Sequence, residues 1–394
     1  MQVLLAILGF LLFVGLILVH EWGHYLAARR SGVEVEEFGL GLPPRAWGKK
    51  TKSGMLLSLN WLPLGGFVKL KGEHDSDREK GSFGATSFGG KTKILLAGVS
   101  MNLITGLVLL TLLAAVGIPK LINQETAGQS QFTLKSDERL ISSQTMVYYI
   151  VPDSPAQAAG IAERDIIEVI ASSSESRKIT NGQDLKSATT HFAGQTVNIT
   201  LKHGGQQKVV QAKLLSAAEV EASQKTAHPK PNLGVAPTSL EVVRYSWSAP
   251  VVAVGFTKQL IELTAKGLWH ALEGLGSAIA GLATGNQAAR QAGQTQASSQ
   301  VAGPVAIMVA IWNSGSLGLN FLLMFVSIIS LSLAFINLLP IPALDGGRLF
   351  VIGLARVLRV RLSAGVEELI NGLGITLILL LAVLITVVDV RRFF

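Results

Sequence analysis

The sequence predicts a polytopic α-helical membrane protein with a short β region and an inserted soluble domain. Its 394 residues are 49% hydrophobic and only 15% charged, and the mean hydropathy is +0.44. That composition is too apolar for an ordinary soluble enzyme. Four stretches are also apolar over lengths that cross a bilayer, and a long polar segment, 119–316, separates the second stretch from the third. We therefore expect about four transmembrane helices around one soluble insertion.

The predicted organisation follows these changes in hydropathy. The segments are a first transmembrane helix (1–30), a cytosolic, membrane-associated β region (31–90), a second transmembrane helix (91–118), a soluble domain (125–240), an amphipathic helix and linker (248–300), a third transmembrane helix with a conspicuous turn motif (317–348) and a fourth (369–390). The first apolar run lacks the basic n-region of a signal peptide and exceeds a usual h-region in length, so we expect it to be retained.

Basic residues determine the predicted orientation. Twelve Lys and Arg lie between Arg29 and Lys93, directly after the first apolar run, and such clusters stay on the cytoplasmic side. Segment 27–93 is therefore predicted to be cytosolic, whereas 119–316 and both termini are predicted to be extracytoplasmic. No aromatic-basic module accompanies the net charge of +8, so no nucleic-acid partner is expected. The lack of Cys excludes disulfides, Cys-ligated zinc and thiol catalysis.

The first apolar run ends in the motif HEWGH, at 20–24. In a helix, His20 and His24 lie one turn apart on one side and can share a zinc ion, while Glu21 can act on a zinc-bound water. The alternative is a polar helix end that reaches toward lipid headgroups. Ionisable groups at membrane depth are costly and usually functional, which favours the metal site.

A third zinc ligand is predicted at the cytosolic end of the third span, because spans one and three run in the same direction. There the sequence NLLPIPALDGGRL (337–349) places Asp345 after two prolines that stop a helix and before a Gly pair that permits a tight turn. Catalytic zinc sites use three protein ligands and an open position. A simple Asp-Gly turn is the alternative here, and His74 is a rival ligand in what reads as an exposed loop.

These motifs resemble those of the site-2 proteases, a family of intramembrane zinc metalloproteases, and especially the bacterial branch with a PDZ domain that includes the sigma-E regulator protease. The matching stretches are HEWGH (20–24), PLGGFVKL (63–70), GVSMN (98–102) and NLLPIPALDGG (337–347). The resemblance implies that His20, His24 and Asp345 bind Zn²⁺ and that Glu21 is the general base.

The resemblance also implies residues that bind the substrate. Asn102 and Asn337 match positions that contact the substrate backbone or stabilise the oxyanion, with a hydrogen bond between helices as the alternative for each. Stretch 54–70 corresponds to a membrane-associated β-hairpin and is too apolar for a free loop. An unwound substrate helix needs new backbone partners. We expect it to add as a strand to the hairpin edge, at Gly65, Gly66, Phe67 and Val68. The alternative is a purely structural sheet that seals the cytosolic mouth of the site.

The soluble segment resembles a PDZ domain of the bacterial protease type. Its core is similar over 148–170, and 193–214 adds a strand-turn-strand pattern. The dipeptide Arg164-Asp165 stands where Gly-Asp is usual. PDZ domains bind peptides by strand addition and often capture a terminal carboxylate, which implies a peptide or trimmed substrate end as partner, or the exclusion of substrates with bulky outer domains. Segment 248–285 is predicted to be an amphipathic surface helix and 286–300 a flexible linker.

Together these features predict an intramembrane zinc endopeptidase of the bacterial plasma membrane. Its substrate is expected to be the transmembrane segment of a single-span protein, such as an anti-sigma factor, and membrane lipid is the other expected partner. Clearance of leftover signal peptides by the same chemistry is one alternative. A catalytically silent scaffold that presents a PDZ domain is another, although a scaffold has no need of a base at Glu21.

Overall fold

The computed structural model describes residues 2–122, 129–224, 229–299, 303–360 and 362–393. The predicted soluble domain and linker therefore lie partly outside the described residues. The chain forms two compact units. One, the sheet unit, is built mainly from Thr111–Val252; the other, the helical unit, is built from Ala6–Leu110, Ala253–Asn313 and the chain from Leu322 onward.

The elements are numbered in chain order. The helices are α1 (Gln2–Arg30), α2 (Phe88–Val116), α3 (Pro155–Ala158), α4 (Gly182–His191), α5 (Ala217–Ser223), α6 (Ala249–Thr284), α7 (Gln287–Ser299), α8 (Pro304–Leu317), α9 (Leu319–Leu338), α10 (Asp345–Val357) and α11 (Ala364–Phe393). The strands are β1 (Val35–Lys50), β2 (Leu56–Leu70), β3 (Ile118–Pro119), β4 (Arg139–Ile150), β5 (Ile166–Ala171), β6 (Ser176–Lys178), β7 (Thr196–His203), β8 (Gln206–Lys213) and β9 (Val235–Arg244).

Four helices of the described chain are long and apolar enough to cross a membrane: α1, α2, α9 and α11. Helix α8 is also apolar but has only 14 residues. In lipid, a helix satisfies its backbone hydrogen bonds internally, so these apolar stretches fold as helices over most of their length. The predicted membrane protein with about four apolar helices and β sheets is confirmed by this architecture.

Small residues bring three of these helices close together. A Cβ atom at Gly23 of α1 would lie 2.5 Å from the Ala97 carbonyl oxygen of α2, and one at Gly106 of α2 would lie 2.6 Å from Leu331 of α9. The Ser330 hydroxyl of α9 also donates to the Asn102 carbonyl of α2 at 2.7 Å. Close backbone approach through small residues is a common packing device in membranes, and it places the polar ends of α1 and α9 near α2.

The sheet of the helical unit has two long strands that both bend. Residues 45–50 of β1 pair in reverse order with 56–60 of β2. The earlier part of β1, 37–40, lies between two segments of β2, because it pairs with 56–59 on one side and with 66–69 on the other. The end of β2 therefore forms an edge, since no other strand of the described chain pairs with it.

The sheet unit contains a seven-stranded sheet in the order β3-β9-β4-β5-β7-β8, with β6 paired to β5. Every second residue of β7 from Val197 to Leu201 points into the core, as the alternation of a strand with one buried face requires. Arg164 has a φ of 71°, a conformation that favours glycine. This explains why glycine is usual at the corresponding position of the domains that this segment resembles.

One part of the predicted organisation is wrong: the flexible linker at 286–300 is helical over Gln287–Ser299, as α7. The helix packs on α6, because a Cβ atom at Gly293 would lie 2.5 Å from the Ala278 nitrogen and the Gly274 oxygen. The missing side chain allows this close contact. Ala, Gln and Arg also have good helix propensity, so a polar composition alone was a poor guide to disorder.

Candidate active site

Three potential metal ligands meet at the end of α1. The Nε2 atoms of His20 and His24 lie 3.2 Å apart, and each lies 3.2 Å from Oδ2 of Asp345. These three ligand atoms thus form a nearly equilateral triangle. The side chains are only 12%, 11% and 17% exposed, respectively, so the cluster of nitrogen and oxygen atoms is largely withdrawn from solvent.

Three successive turns on one side of α2 contact the two imidazoles. The Ile94 carbonyl accepts a hydrogen bond from Nδ1 of His24 at 2.8 Å, which leaves Nε2 of that ring with a lone pair. One turn later, a Cβ atom at Gly98 would lie 2.3 Å from the same Nε2, so only glycine lets α2 pass so close. After another turn, the amide of Asn102 lies 3.3 Å from Nδ1 of His20.

Asp345 is placed by the turn that follows α9. Helix α9 ends at Leu338, before Pro340 and Pro342, and Asp345 is the first residue of α10. A Cβ atom at Gly346 would lie 2.2 Å from the Leu338 carbonyl oxygen. The glycine after the aspartate therefore allows α10 to start directly against the backbone that leaves α9, and this turn directs the carboxylate toward α1.

Glu21 lies beside the free edge of β2. A Cβ atom at Gly66 would lie 3.0 Å from Cγ of Glu21, and the backbone N–H of Val68 faces the Glu21 carboxylate. The backbone N–H of Leu70, two residues further along the strand, donates to Oε1 of Glu73 at 2.9 Å. Alternate N–H groups of this segment thus point away from β1.

All the sequence-predicted site residues line one cavity of about 490 Å³. They are His20, Glu21, His24, Gly65, Gly66, Phe67, Val68, Asn102, Asn337 and Asp345. The cavity also includes Arg348, whose guanidinium donates to the Glu73 carbonyl. The two candidate Asn residues differ: Asn102 is 1% exposed and contacts His20, whereas the Asn337 side chain makes no hydrogen bond to any described residue. Sequence reasoning missed the Ile94 carbonyl, because a backbone acceptor has no residue-type signal.

The rival ligand His74 lies elsewhere. Its two ring nitrogens face Glu367 and Glu368 of α11, at 3.5 and 3.3 Å. It does not line the cavity that holds Asp345. His74 therefore joins a loop to α11 and does not contribute to the triangle.

The triangle fits a zinc ion. Zinc bonds to imidazole nitrogen or carboxylate oxygen are about 2.0–2.2 Å long with tetrahedral angles, which puts ligand atoms roughly 3.4 Å apart. The observed separations of 3.2 Å are close to that value. Oδ2 of Asp345 is buried and has no hydrogen-bond partner among the described residues, as expected for an atom whose partner is a cation. Two neutral imidazoles and one carboxylate are also a common donor set of catalytic zinc sites.

Comparison with known proteins agrees with this geometry. The family model described as peptidase family M50 matches residues 8–381. The chain belongs to peptidase family M50. An inferred zinc metalloprotease of Clostridium perfringens is 29% identical over 386 residues, which cover 98% of each chain. Zinc metalloprotease RasP of Oceanobacillus iheyensis is 22% identical over 476 residues, which cover 99% of each chain.

Membership of the M50 family, the site-2 proteases, makes this protein a zinc metalloprotease with several apolar helices in a bacterial membrane. The predicted family, enzyme class and zinc cofactor are thereby confirmed. The roles of individual residues stay predictions, and the cavity geometry is the basis on which they are proposed below.

Proposed function

We propose that this M50 protease cleaves transmembrane segments of single-span membrane proteins, with regulators such as anti-sigma factors as the substrate class. The observation that carries the proposal is the position of the ligand triangle, at the end of the apolar helix α1 and next to an unpaired strand edge. A water-soluble peptide would not require a site built into apolar helices. A peptide bond from a membrane helix does, because it must leave its own helical hydrogen bonds within lipid.

Glu21 is the proposed general base and acid. His20, His24 and Asp345 would hold the zinc ion, which would supply a Lewis acid that lowers the pKa of the attacking water to about 7 and polarises the scissile carbonyl. The Glu21 carboxylate, one residue after the first ligand, accepts the proton of the attacking water. It then donates that proton to the leaving amine nitrogen, as general acid–base catalysis requires.

Two groups on α2 are proposed to position the imidazoles. The Ile94 carbonyl fixes the His24 tautomer, because it accepts the Nδ1 proton and leaves the Nε2 lone pair toward Asp345. Asn102 does the same for His20 when its amide oxygen faces Nδ1. That orientation also satisfies Oδ1 of Asn102, which otherwise lacks a hydrogen-bond partner among the described residues. We therefore propose a positioning role for Asn102.

The free edge of β2 is the proposed site of substrate addition. The N–H groups of Gly66, Val68 and Leu70 share one side of the strand by the alternation of backbone directions. Leu70 is committed to Glu73, so Gly66 and Val68 are the donors within reach of the catalytic cavity. An extended substrate segment that accepts from them gains main-chain hydrogen bonds in place of its helical ones. Asn337, whose amide is uncommitted, is proposed to contact the substrate backbone.

We also propose that the sheet unit is a PDZ-type domain on the extracytoplasmic side. The resemblance of 148–170 to a PDZ core supports the domain type. The basic segment 27–93 supports a cytosolic location for the chain that follows α1, and hence an extracytoplasmic location for the chain that follows α2. Both termini would then be extracytoplasmic. The domain would bind a trimmed substrate end, or exclude substrates that still have a bulky outer domain.

The decisive experiment is Glu21→Gln in the full-length protein reconstituted into lipid vesicles with a single-span model substrate. Loss of the base should lower the cleavage rate on the order of 10³-fold, while zinc content, measured by plasma mass spectrometry, stays at one ion per chain. Glu79→Gln, which changes an exposed carboxylate in a loop, is the control and should cleave normally.

Two results would contradict the proposal. Cleavage by Glu21→Gln at the normal rate would show that another residue is the base. If a soluble peptide were hydrolysed normally and the membrane-embedded one were not, the protein would still be a zinc protease, but a transmembrane substrate would be excluded.

A further inference from the structure

A second groove lies between α1 and α2 and shares no lining residue with the catalytic cavity. Its volume is about 390 Å³. Gly23, Leu26 and Ala27 of α1 line its apolar part together with Ala97 and Met101 of α2. Both helices are apolar spans, so lipid surrounds this part of the molecule.

The other end of the same groove is polar and basic. Arg30 and Ser31 lie at the end of α1, and Lys93 lies near the start of α2, on the same groove. Since α1 runs toward Arg30 and α2 runs away from Lys93, the two cations mark one level of the helix pair. The groove therefore changes in character along its length, from two cations at the helix ends to apolar residues further into the spans.

The fold leaves these two cations without a counter-charge. Neither Arg30 nor Lys93 forms an ion pair or a side-chain hydrogen bond with any described residue, and both are exposed. Lys91, two residues earlier on α2, is different, because it pairs with Asp75 and is only 5% exposed. A neighbouring lysine is thus neutralised inside the protein, whereas the two groove cations can be neutralised only by something from outside it.

We propose that this groove binds one anionic phospholipid, with its headgroup phosphate between Arg30 and Lys93 and an acyl chain along the apolar part. A phospholipid has the same order of groups as the groove, a phosphate followed by a hydrocarbon chain. Basic residues at a membrane surface attract anionic lipid, and Arg and Lys are the usual phosphate donors. A free phosphate would leave the apolar part uncovered.

The site has a consequence for the α1–α2 contact. Gly23, which lines the groove, also allows a close backbone approach to Ala97, and in the sequence it lies between His20 and His24. A bound lipid fills the space beside this contact and should stabilise the helix pair. The inference does not depend on which substrate the protease cleaves.

The test uses the full-length protein in detergent, titrated with phosphatidylglycerol, phosphatidylcholine or glycerol phosphate and followed by native mass spectrometry and by thermal unfolding. Wild-type protein should retain one phosphatidylglycerol and unfold at a higher temperature with it. The double variant R30Q/K93Q should bind phosphatidylglycerol roughly 25-fold more weakly, since each cation contributes about fivefold. The control R29Q/K49Q removes two other exposed cations that lie outside the groove and should bind normally.

A second variant tests the apolar part independently. Ser100 lines the groove and is exposed, so S100W fills the space of the acyl chain while both cations remain. It should lose the phosphatidylglycerol adduct and the associated rise in unfolding temperature. Equal binding of phosphatidylcholine, binding of glycerol phosphate as tight as that of the lipid, or unchanged phosphatidylglycerol binding by both variants would each overturn the proposal.

Discussion

The carboxylates of Asp345 in the helical unit and Asp137 in the sheet unit are both largely withdrawn from solvent, but their surroundings differ. Asp137 accepts hydrogen bonds from the backbone N–H and the hydroxyl group of both Ser246 and Ser248, at 2.5–3.1 Å. Asp345 instead has one oxygen, Oδ2, that faces two imidazole nitrogens at 3.2 Å and accepts no hydrogen bond from any described residue.

The difference separates a structural carboxylate from a metal ligand. A buried charge must be paired or hydrogen-bonded, and the four donors around Asp137 belong to one short segment before α6, so they satisfy it within the fold. The Nε2 atoms around Asp345 come from α1, and each is an acceptor when its ring is neutral with the proton on Nδ1. Such a cluster is stable only when a cation completes it, as zinc does in this family.

The largest expected effect that tests this contrast is loss of zinc in Asp345→Asn. The amide replaces a charged ligand with a neutral one, so zinc affinity should fall by at least about a hundredfold, more than for the loss of an outer-shell partner. Cleavage should stop. Asp389→Asn is the matched control, because Asp389 is a 3% exposed carboxylate of α11 that accepts from the Ala306 N–H at 2.9 Å.

Zinc content and cleavage should remain normal in that control. If Asp345→Asn kept its zinc ion, or if both variants lost it equally, the contrast between the two kinds of buried carboxylate would be wrong.

The sequence was a good guide where residue type carries the chemistry. His20 and His24 have a fixed helical spacing, and the common direction of two spans indicated that Asp345 could reach them. The Ile94 carbonyl could not be predicted, because every residue has one. The double pairing of 37–40 depends on bends in both strands, which alternating residue types do not specify. Helix α7 was missed because its packing depends on Gly293 meeting α6, a tertiary contact.

The next effect concerns the edge of β2, where outward and inward backbone groups should behave differently. In the inactive Glu21→Gln background, Val68→Pro removes an outward N–H without changing the β1 pairing, a substitution that edge strands tolerate. Substrate should bind about fivefold more weakly, as expected for one lost hydrogen bond. Fluorescence titration with a labelled single-span peptide in nanodiscs measures this change.

Val68→Ala is the matched control, since it shortens the same side chain and keeps the N–H. Its affinity for the peptide should stay near that of the Glu21→Gln parent. Equal weakening by alanine and proline would assign the effect to side-chain contact, and strand addition at Val68 would be excluded.

The smallest effect is the pH response of Asp137. Hydrogen bonds from Ser246, and then those from Ser248, hold the pKa of this carboxyl well below its ordinary value of 3.8. Because the folded state favours the ionised form, Asp137 stabilises the fold fully above that value, and the contribution disappears as the pH falls below about 4.

Hydrogen exchange of the full-length protein can locate this loss. The amides of Ser246 and Ser248 donate to Asp137. Their protection against exchange, corrected for intrinsic rates, should therefore fall as the pH is lowered from about 5 to about 2, a range that includes the ordinary pKa of 3.8. The adjacent Tyr245 amide donates to the Ala114 carbonyl instead and should keep its protection over the same range.

In Asp137→Asn the serine amides should lose their pH dependence, because an amide acceptor does not titrate. A pH dependence that persists in this variant would mean that a carboxylate other than Asp137 holds the segment before α6. Asp137 would then not be the structural carboxylate that the comparison with Asp345 requires.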